Sequence, residues 1–102
     1  MNKFPLMLGL CRKAGYAIIG TPMVTESLPK GKIKLVLYAY DASANTQKKI
    51  TDKCSFYNVE CIKSGSTSLE LSQALGKSGA VCAVGIIDEG FSRELKRLHQ
   101  TN

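Results

Sequence analysis

Metal binding and nucleophilic catalysis need cysteines, histidines or paired carboxylates at workable spacings, and this chain of 102 residues offers few of them. Its four cysteines are Cys11, Cys54, Cys61 and Cys82. No two stand as Cys-x-x-Cys, and the one histidine is His99, so a structural zinc site is not expected. Cys11, Cys54 and Cys82 each have apolar neighbours, among which a thiol behaves as a small hydrophobe. Reduced, structural cysteines suit the cytoplasm. A Ser-His or Cys-His pair would have to draw on His99. Asp88 and Glu89 could be imagined as acid and base, but at a predicted helix start they read more simply as a cap and a first-turn carboxylate. Gly-x-Gly-x-x-Gly, the phosphate-binding Gly-x-x-x-x-Gly-Lys-Ser/Thr and the nucleophile elbow are absent from the sequence. The expectation is a protein without catalytic site, metal or cofactor.

Charge points to a polyanion instead. Residues 1–50 carry Lys3, Arg12, Lys13, Lys30, Lys32, Lys34, Lys48 and Lys49 against Glu26 and Asp41, so the whole net charge of +6 resides there. Residues 51–102 are neutral. A basic half beside a neutral one suggests a nucleic-acid-binding surface, although a lysine face kept for solubility would have the same composition. Three segments could supply such a surface. Gly20-Thr21-Pro22-Met23 joins a strand to a helix, where free N–H groups attract phosphate and glycine permits close approach; it reads equally as an ordinary turn. Lys30-Gly31-Lys32-Ile33-Lys34 alternates three lysines around a tight turn, and lysines there would hold a backbone as point charges. Val84-Gly85-Ile86-Ile87-Asp88 either extends a strand into the core or forms an apolar loop that packs on splayed nucleotides. Were the strand-end loops to converge, the Gly20 turn and this loop would flank one surface.

The elements that must position these segments alternate along the chain. A helix is predicted from Lys3 to Ala14, with Asn2 as its cap, Pro5 in its first turn and Gly15 beyond its end. Phe4, Met7, Leu8, Cys11 and Ala14 form its apolar stripe. Tyr16–Ile19 reads as a strand. Thr21 then reads as the cap of a second helix with Pro22 at its first position, shortened or kinked by Pro29. Ile33–Tyr40 is apolar almost throughout after Lys34, as a central strand covered on both faces would be. A polar turn, Asp41–Asn45, leads into a helix to about Tyr57 with Ile50, Cys54 and Tyr57 inward. Val59–Ile62 is a further strand. Thr67 and Glu70 match a capping box for a helix that ends at Gly76. Ala80–Val84 is the last strand, and Asp88 caps a helix bearing Phe91, Leu95 and Leu98. The order α-β-α-β-α-β-α-β-α predicts one α/β domain over residues 1–102, a three-layer α/β/α sandwich around a small, largely parallel or mixed four-stranded sheet. No apolar run approaches the ~20 residues of a membrane span, and Met1–Pro5 lacks the features of a secretory signal.

Several of these stretches resemble a known family. Leu35–Tyr57, Leu8–Gly15, Ala74–Lys77 and Asp88–Phe91 are similar to the ribosomal L-seven-Ae/L-thirty-e superfamily, in particular its bacterial YlxQ-like branch. The resemblance covers almost the whole chain. It implies an α/β/α sandwich and, in the better-known members, recognition of kink-turn RNA, a duplex sharply bent around tandem sheared G·A pairs. Gly20-Thr21 matches the family's Gly-Thr at the start of the RNA-binding helix, Lys30-Gly31 the basic-Gly pair that closes it, and Val84–Ile87 the apolar loop against the kink. The family's Asn-Glu after Gly-Thr, and a Lys one turn later, are here Pro22, Met23 and Glu26. Proline has no N–H, methionine accepts only weakly, and glutamate is anionic where a cation belongs. Each base contact is typically worth ~1–3 kcal/mol, so kink-turn specificity would fall while phosphate binding remained. The resemblance thus implies a binder of structured RNA, with ribosomal RNA or a ribosomal or translational protein as partner, and the chain is expected to be cytoplasmic and monomeric. Gly20, Thr21, Lys30, Gly31, Lys32, Gly85, Ile86 and Ile87 are the contact residues. The rival reading is a protein-interaction module whose apolar patch is made by Pro22, Met23 and the isoleucine segment.

Overall fold

The near-continuous apolar run after Lys34 forms a strand whose side chains are divided between two cores. In the computed structural model, which describes residues 3–100, Leu35 and Leu37 point to one face of the sheet and Val36 and Tyr38 to the other. Period-two alternation makes that division, and it forces a layer of helices onto each face. The elements are α1 (Phe4–Lys13), β1 (Ala17–Ile19), α2 (Thr21–Ser27) running on into a single 3-10 turn (Leu28–Lys30), β2 (Leu35–Tyr38), α3 (Ala44–Phe56), β3 (Glu60–Lys63), α4 (Ser68–Leu75), β4 (Ala83–Ile86) and α5 (Glu89–Gln100). Their order is the alternation expected, and they build the three-layer sandwich.

The sheet is mixed, in the order β1-β4-β2-β3. β2 and β3 are parallel with Leu35 opposite Glu60. β4 lies antiparallel between β2 and β1, with Ile86 opposite both Leu35 and Ala17. One core unites Phe4, Leu8, Cys11, Leu71, Leu75, Leu95 and Leu98 of α1, α4 and α5 with Leu35, Leu37, Val84 and Ile86. The other joins Val24 of α2, Leu28 of the 3-10 turn, and Ile50 and Cys54 of α3 to Ile33, Val36 and Ala83. Burying each Leu, Ile or Val fully contributes ~1.5–3 kcal/mol before the entropy of ordering is subtracted.

Local chemistry places the helix ends. Both halves of the capping box form: the Glu70 N–H donates to Thr67 Oγ1 at 3.0 Å, and the Thr67 N–H to Glu70 Oε1 at 2.8 Å. Asp88 Oδ2 accepts from the Phe91 N–H at 2.9 Å at the start of α5. Gly76 closes α4 with φ of 68°. The Asn2 cap expected for α1 lies outside the described residues.

Strand limits differ from expectation in an instructive way. The last strand is Ala83–Ile86, displaced toward the C-terminal side of the expected Ala80–Val84. After Gly76 the chain first runs back along α4: the Lys77 N–H bonds Ser72 O at 2.9 Å and the Val81 N–H bonds Ser68 O at 3.0 Å. It reaches the sheet only at Ala83. β2 is likewise shorter than Ile33–Tyr40, because the Ile33 side chain turns down onto β4 instead of continuing the alternation.

Two thiols, Cys11 and Cys54, are buried, and Cys61 and Cys82 are half-buried; all four are free. Burial, and secondarily the charge of Asp88, pushes the Cys11 thiol up to about 11, so at neutral pH it stays protonated and unreactive. Cys54 and Cys61 meet between α3 and β3. Their hydrogen bond and burial hold the Cys61 thiol well above the ordinary range.

One buried side-chain polar atom stands without a partner among the described residues, the Ser92 hydroxyl on the inner side of α5. An unsatisfied buried hydroxyl is a net cost. Ser92→Ala is expected to raise stability by about 1 kcal/mol, a gain of roughly 4–8 °C in Tm for a domain of this size. Thermal unfolding followed by circular dichroism measures it, and a lower Tm would mean that the hydroxyl has a partner in solution.

Candidate nucleic-acid interface

Gly20 ends β1 and starts α2 in a single residue. Its N–H donates to Ala83 O across the sheet at 2.8 Å, and its carbonyl accepts the first helical bond from the Val24 N–H at 2.9 Å. Meeting both demands sets φ at 100° and ψ at 144°, a region that side chains rarely enter. Gly20 is therefore the helix cap, with Thr21 and Pro22 at the first two helical positions, and Thr21 is not the cap expected from sequence. Thr25 Oγ1 turns back to donate to Thr21 O at 3.0 Å. Pro22 has no N–H, and among the described residues the N–H groups of Thr21 and Met23 have no partner in the chain. Gly20→Ala is expected to cost about 1–3 kcal/mol through backbone strain alone, since an added Cβ meets nothing nearer than 4.0 Å. A Tm equal to that of the parent would show that the turn relaxes freely.

Lys30, Gly31 and Lys32 stand at the other end of α2. Gly31 takes φ of 77° and its N–H bonds Leu28 O, turning the chain tightly into β2. Lys30, Lys32 and Lys34 are exposed while Ile33 between them is buried. The seven residues of α2 and the 3-10 turn span about 16 Å, so Gly20 and Lys30 mark the two ends of one ridge.

Val84–Ile87 is not a loop. Gly85 and Ile86 belong to β4 and are buried. Gly85 leaves room for its neighbour: a Cβ there would come within 2.9 Å of Ile33 Cδ1, and the buried Ile33 side chain would have to shift. Ile86 faces the α1–α4–α5 core and offers no surface to a ligand. Ile87 is half-buried, and its N–H bonds Tyr16 O at 3.0 Å. Because Gly20 sits beside Ala83 and Ile87 beside Tyr16, the two lie at opposite ends of the sheet, about 13 Å apart along the strands. They do not flank one surface, and Met23 and Ile87 do not form a common apolar patch. What arrives beside Gly20 is the segment 77–82, through Cys82 and Ala83, with Lys77, Ser78, Gly79 and Ala80 exposed. Sequence reasoning passed over it, although its Gly-Lys-Ser-Gly composition is that of an accessible loop.

The family model described as Ribosomal protein L7Ae/L30e/S12e/Gadd45 family matches residues 6–96. The chain belongs to this family. The RNA-binding protein YlxQ of Bacillus subtilis (strain 168) is 40% identical over 93% of this chain and 92% of its own length, in keeping with the YlxQ-like branch that Leu35–Tyr57 resembles. Among solved structures, a protein of unknown function from Bacillus halodurans C superposes with a TM-score of 0.89 at 32% identity, covering 98% of this chain and 99% of that one. The Giardia lamblia 15.5kD RNA binding protein shares the fold, with a TM-score of 0.79 at 14% identity over 97% of this chain and 83% of that one.

On this ribosomal-protein fold the charge asymmetry becomes an asymmetry of pairing. Four ion pairs form among the described residues: Lys48–Asp52, Arg93–Glu89, Lys96–Glu60 and Arg97–Glu94. All four carboxylates and three of the four cations come from residues 51–102. Of the eight cations in residues 1–50, only Lys48 is in an ion pair among the described residues. Lys3, Arg12, Lys13, Lys30, Lys32, Lys34 and Lys49 are exposed, with no carboxylate in ion-pair contact among the described residues, although the field of Lys3 reaches Glu94. Pro22, Met23 and Glu26, the residues of α2 that follow Thr21 on its outer side, are all exposed. No helix among the described residues is long and apolar enough to cross a membrane.

Proposed function

We propose that this protein binds structured RNA of the kink-turn class, with ribosomal RNA among its targets, and catalyses no reaction on it. The observation that carries the reading is the set of unpaired cations in the N-terminal half, of which Lys30, Lys32 and Lys34 cluster at the end of α2. Unpaired surface lysines retain their field, and their counterions are released when phosphates replace them. Gly20 and Thr21 at one end of the α2 ridge, and Lys30, Gly31 and Lys32 at the other, would hold a phosphate backbone along that ridge. Ile87 and Gly85 support it only indirectly, by packing, and Ile86 only through the core. The family membership and the printed name of the B. subtilis relative support RNA as the partner class.

Specificity is the part that the chain's own residues modify. With Pro22, Met23 and Glu26 on the exposed side of α2, guanine contacts worth ~1–3 kcal/mol each are absent, and binding rests on shape and phosphates. The experiment is a titration of a standard kink-turn RNA, and of the same RNA with its G·A pairs replaced, at low and near-physiological salt. Tighter binding to the intact kink-turn supports the whole reading. Equal, salt-sensitive binding to both keeps RNA as the ligand and removes the kink-turn. Binding to neither overturns the proposal.

A further inference from the structure

Phe56 is the most exposed large apolar side chain of the described residues, with 80% of its surface open to solvent. It occupies the last position of α3 and is not loosely hung there. Its ring packs edge-on against Tyr57, with centroids 4.9 Å apart and planes at 83°. Tyr57 is itself half-buried against the α2–α3 core, so Phe56 is braced from one side while its face stays open. The two rings, Asp52 and Lys53 line a shallow pocket of about 420 Å³.

The charges around this ring are one-sided. Lys49 and Lys53 precede Phe56 by seven and three residues, which sets all three on one side of the helix. Asp52, the carboxylate that lines this pocket, is taken up by Lys48 at 2.7 Å. Lys49 and Lys53 have no ion-pair partner among the described residues. The topology then adds the lysine turn. β2 and β3 are adjacent and parallel, with Leu35 opposite Glu60, so the segment leading into β2 (Lys30–Lys34) and the one leading into β3 (Phe56–Val59) lie at the same end of the sheet. α2 and α3 also cover the same face.

A braced, solvent-open aromatic ring among unpaired cations is what single-stranded nucleic acid uses: the bases stack and the phosphates are neutralised. We infer that Phe56 is a stacking platform for an unpaired base of the bound RNA, with Lys49 and Lys53 holding the flanking phosphates. This inference rests on the RNA-binding reading above and extends it to a strand leaving the folded RNA.

The test uses a kink-turn hairpin with a single-stranded tail of six uridines, the same hairpin without the tail, and a tailed version carrying 2-aminopurine. The full chain is expected to bind the tailed RNA more tightly and to quench the 2-aminopurine. Phe56→Ala is expected to weaken binding to the tailed RNA by roughly 5- to 150-fold, the range measured for losing one stacked base, and to abolish quenching. Phe56→Trp is expected to restore both. Phe56→Leu keeps an apolar side chain on the helix, and it too loses quenching if stacking is the interaction. Lys49→Gln with Lys53→Gln should flatten the salt dependence by about 1.4, at 0.7 per phosphate on a single strand, while quenching at low salt persists. If the parent binds the hairpin but the tail adds nothing, or if Phe56→Leu quenches like the parent, the platform is refuted and the RNA-binding reading stands. If the parent binds neither RNA, both fall. A Phe56→Leu chain with unchanged RNA binding that fails to hold a protein partner would show this surface to be a protein contact.

Discussion

Glutamine at Lys30, Lys32 and Lys34 together is expected to reduce the slope of log K against log salt by about 2.7, at 0.9 per duplex phosphate contact. Extrapolated from molar to 0.1 M salt, that change corresponds to an affinity for folded RNA roughly 500-fold lower. The size of the effect comes from the surroundings of these lysines. They are exposed, none has a carboxylate partner, and the buried Ile33 between them holds Lys32 and Lys34 outward. Arg97→Gln is the control. Arg97 is a cation of α5 that already donates to both oxygens of Glu94, at 2.9 Å and 2.7 Å, and it contributes little unneutralised field. Fluorescence anisotropy at four or five salt concentrations would decide the matter. A triple variant with the parent's slope would show that the lysine turn makes no phosphate contact, and would shift attention to Arg12, Lys13 and Lys49.

Leu37→Ala is expected to be the most damaging single truncation, lowering stability by about 2–5 kcal/mol, and Tm by roughly 10–30 °C if unfolding stays two-state. Leu37 lies on the second strand, wholly buried, in the core that α1, α4 and α5 share with β2 and β4. Helices cover that face closely, so the cavity has little scope to collapse, and small domains have only about 5–15 kcal/mol in total. Leu69→Ala makes the contrast. It removes the same side chain from a position 59% exposed on α4 and is expected to change stability by no more than about 0.5 kcal/mol. Urea titration of the two variants beside the parent reads both values. Equal losses would mean that the layers are assigned to the wrong faces.

How far the fold was legible depended on the range of the interaction that shaped each part. Thr67 with Glu70, and Asp88 ahead of Phe91, act within one helical turn, and the sequence carried them openly. The apolar run at Leu35–Tyr38 announced a strand covered on both faces, because such a composition fits little else. Val84–Ile87 was illegible as a site because its place depends on a distant partner. Only the antiparallel insertion of β4 sends Ile87 to Tyr16 and Ala83 to Gly20, and no local pattern contains that choice. Thr21 and Gly20 are both acceptable caps, and the bond from Gly20 to Ala83 settles which one serves. Phe56 was overlooked for a different reason. Its neighbours Cys54 and Tyr57 follow the helical period into the core, and a period says nothing of a ring left outside it.

The position of β4 in the sheet bears on how the chain is made. Of the four strands among the described residues β4 is the last to be synthesised, yet it is the only one of them that β1 pairs with and the one that joins β1 to β2. Until about residue 86 has emerged, β1 has no ladder at all, and β2 can zip only with β3. At a synthesis rate of about 5–20 residues per second, the interval between β1 and β4 amounts to some 3–13 s during which the nascent chain exposes unpaired strand edges. Closure of this sheet is therefore timed by the emergence of β4, and any pause before codon 83 prolongs the period in which a chaperone has something to hold.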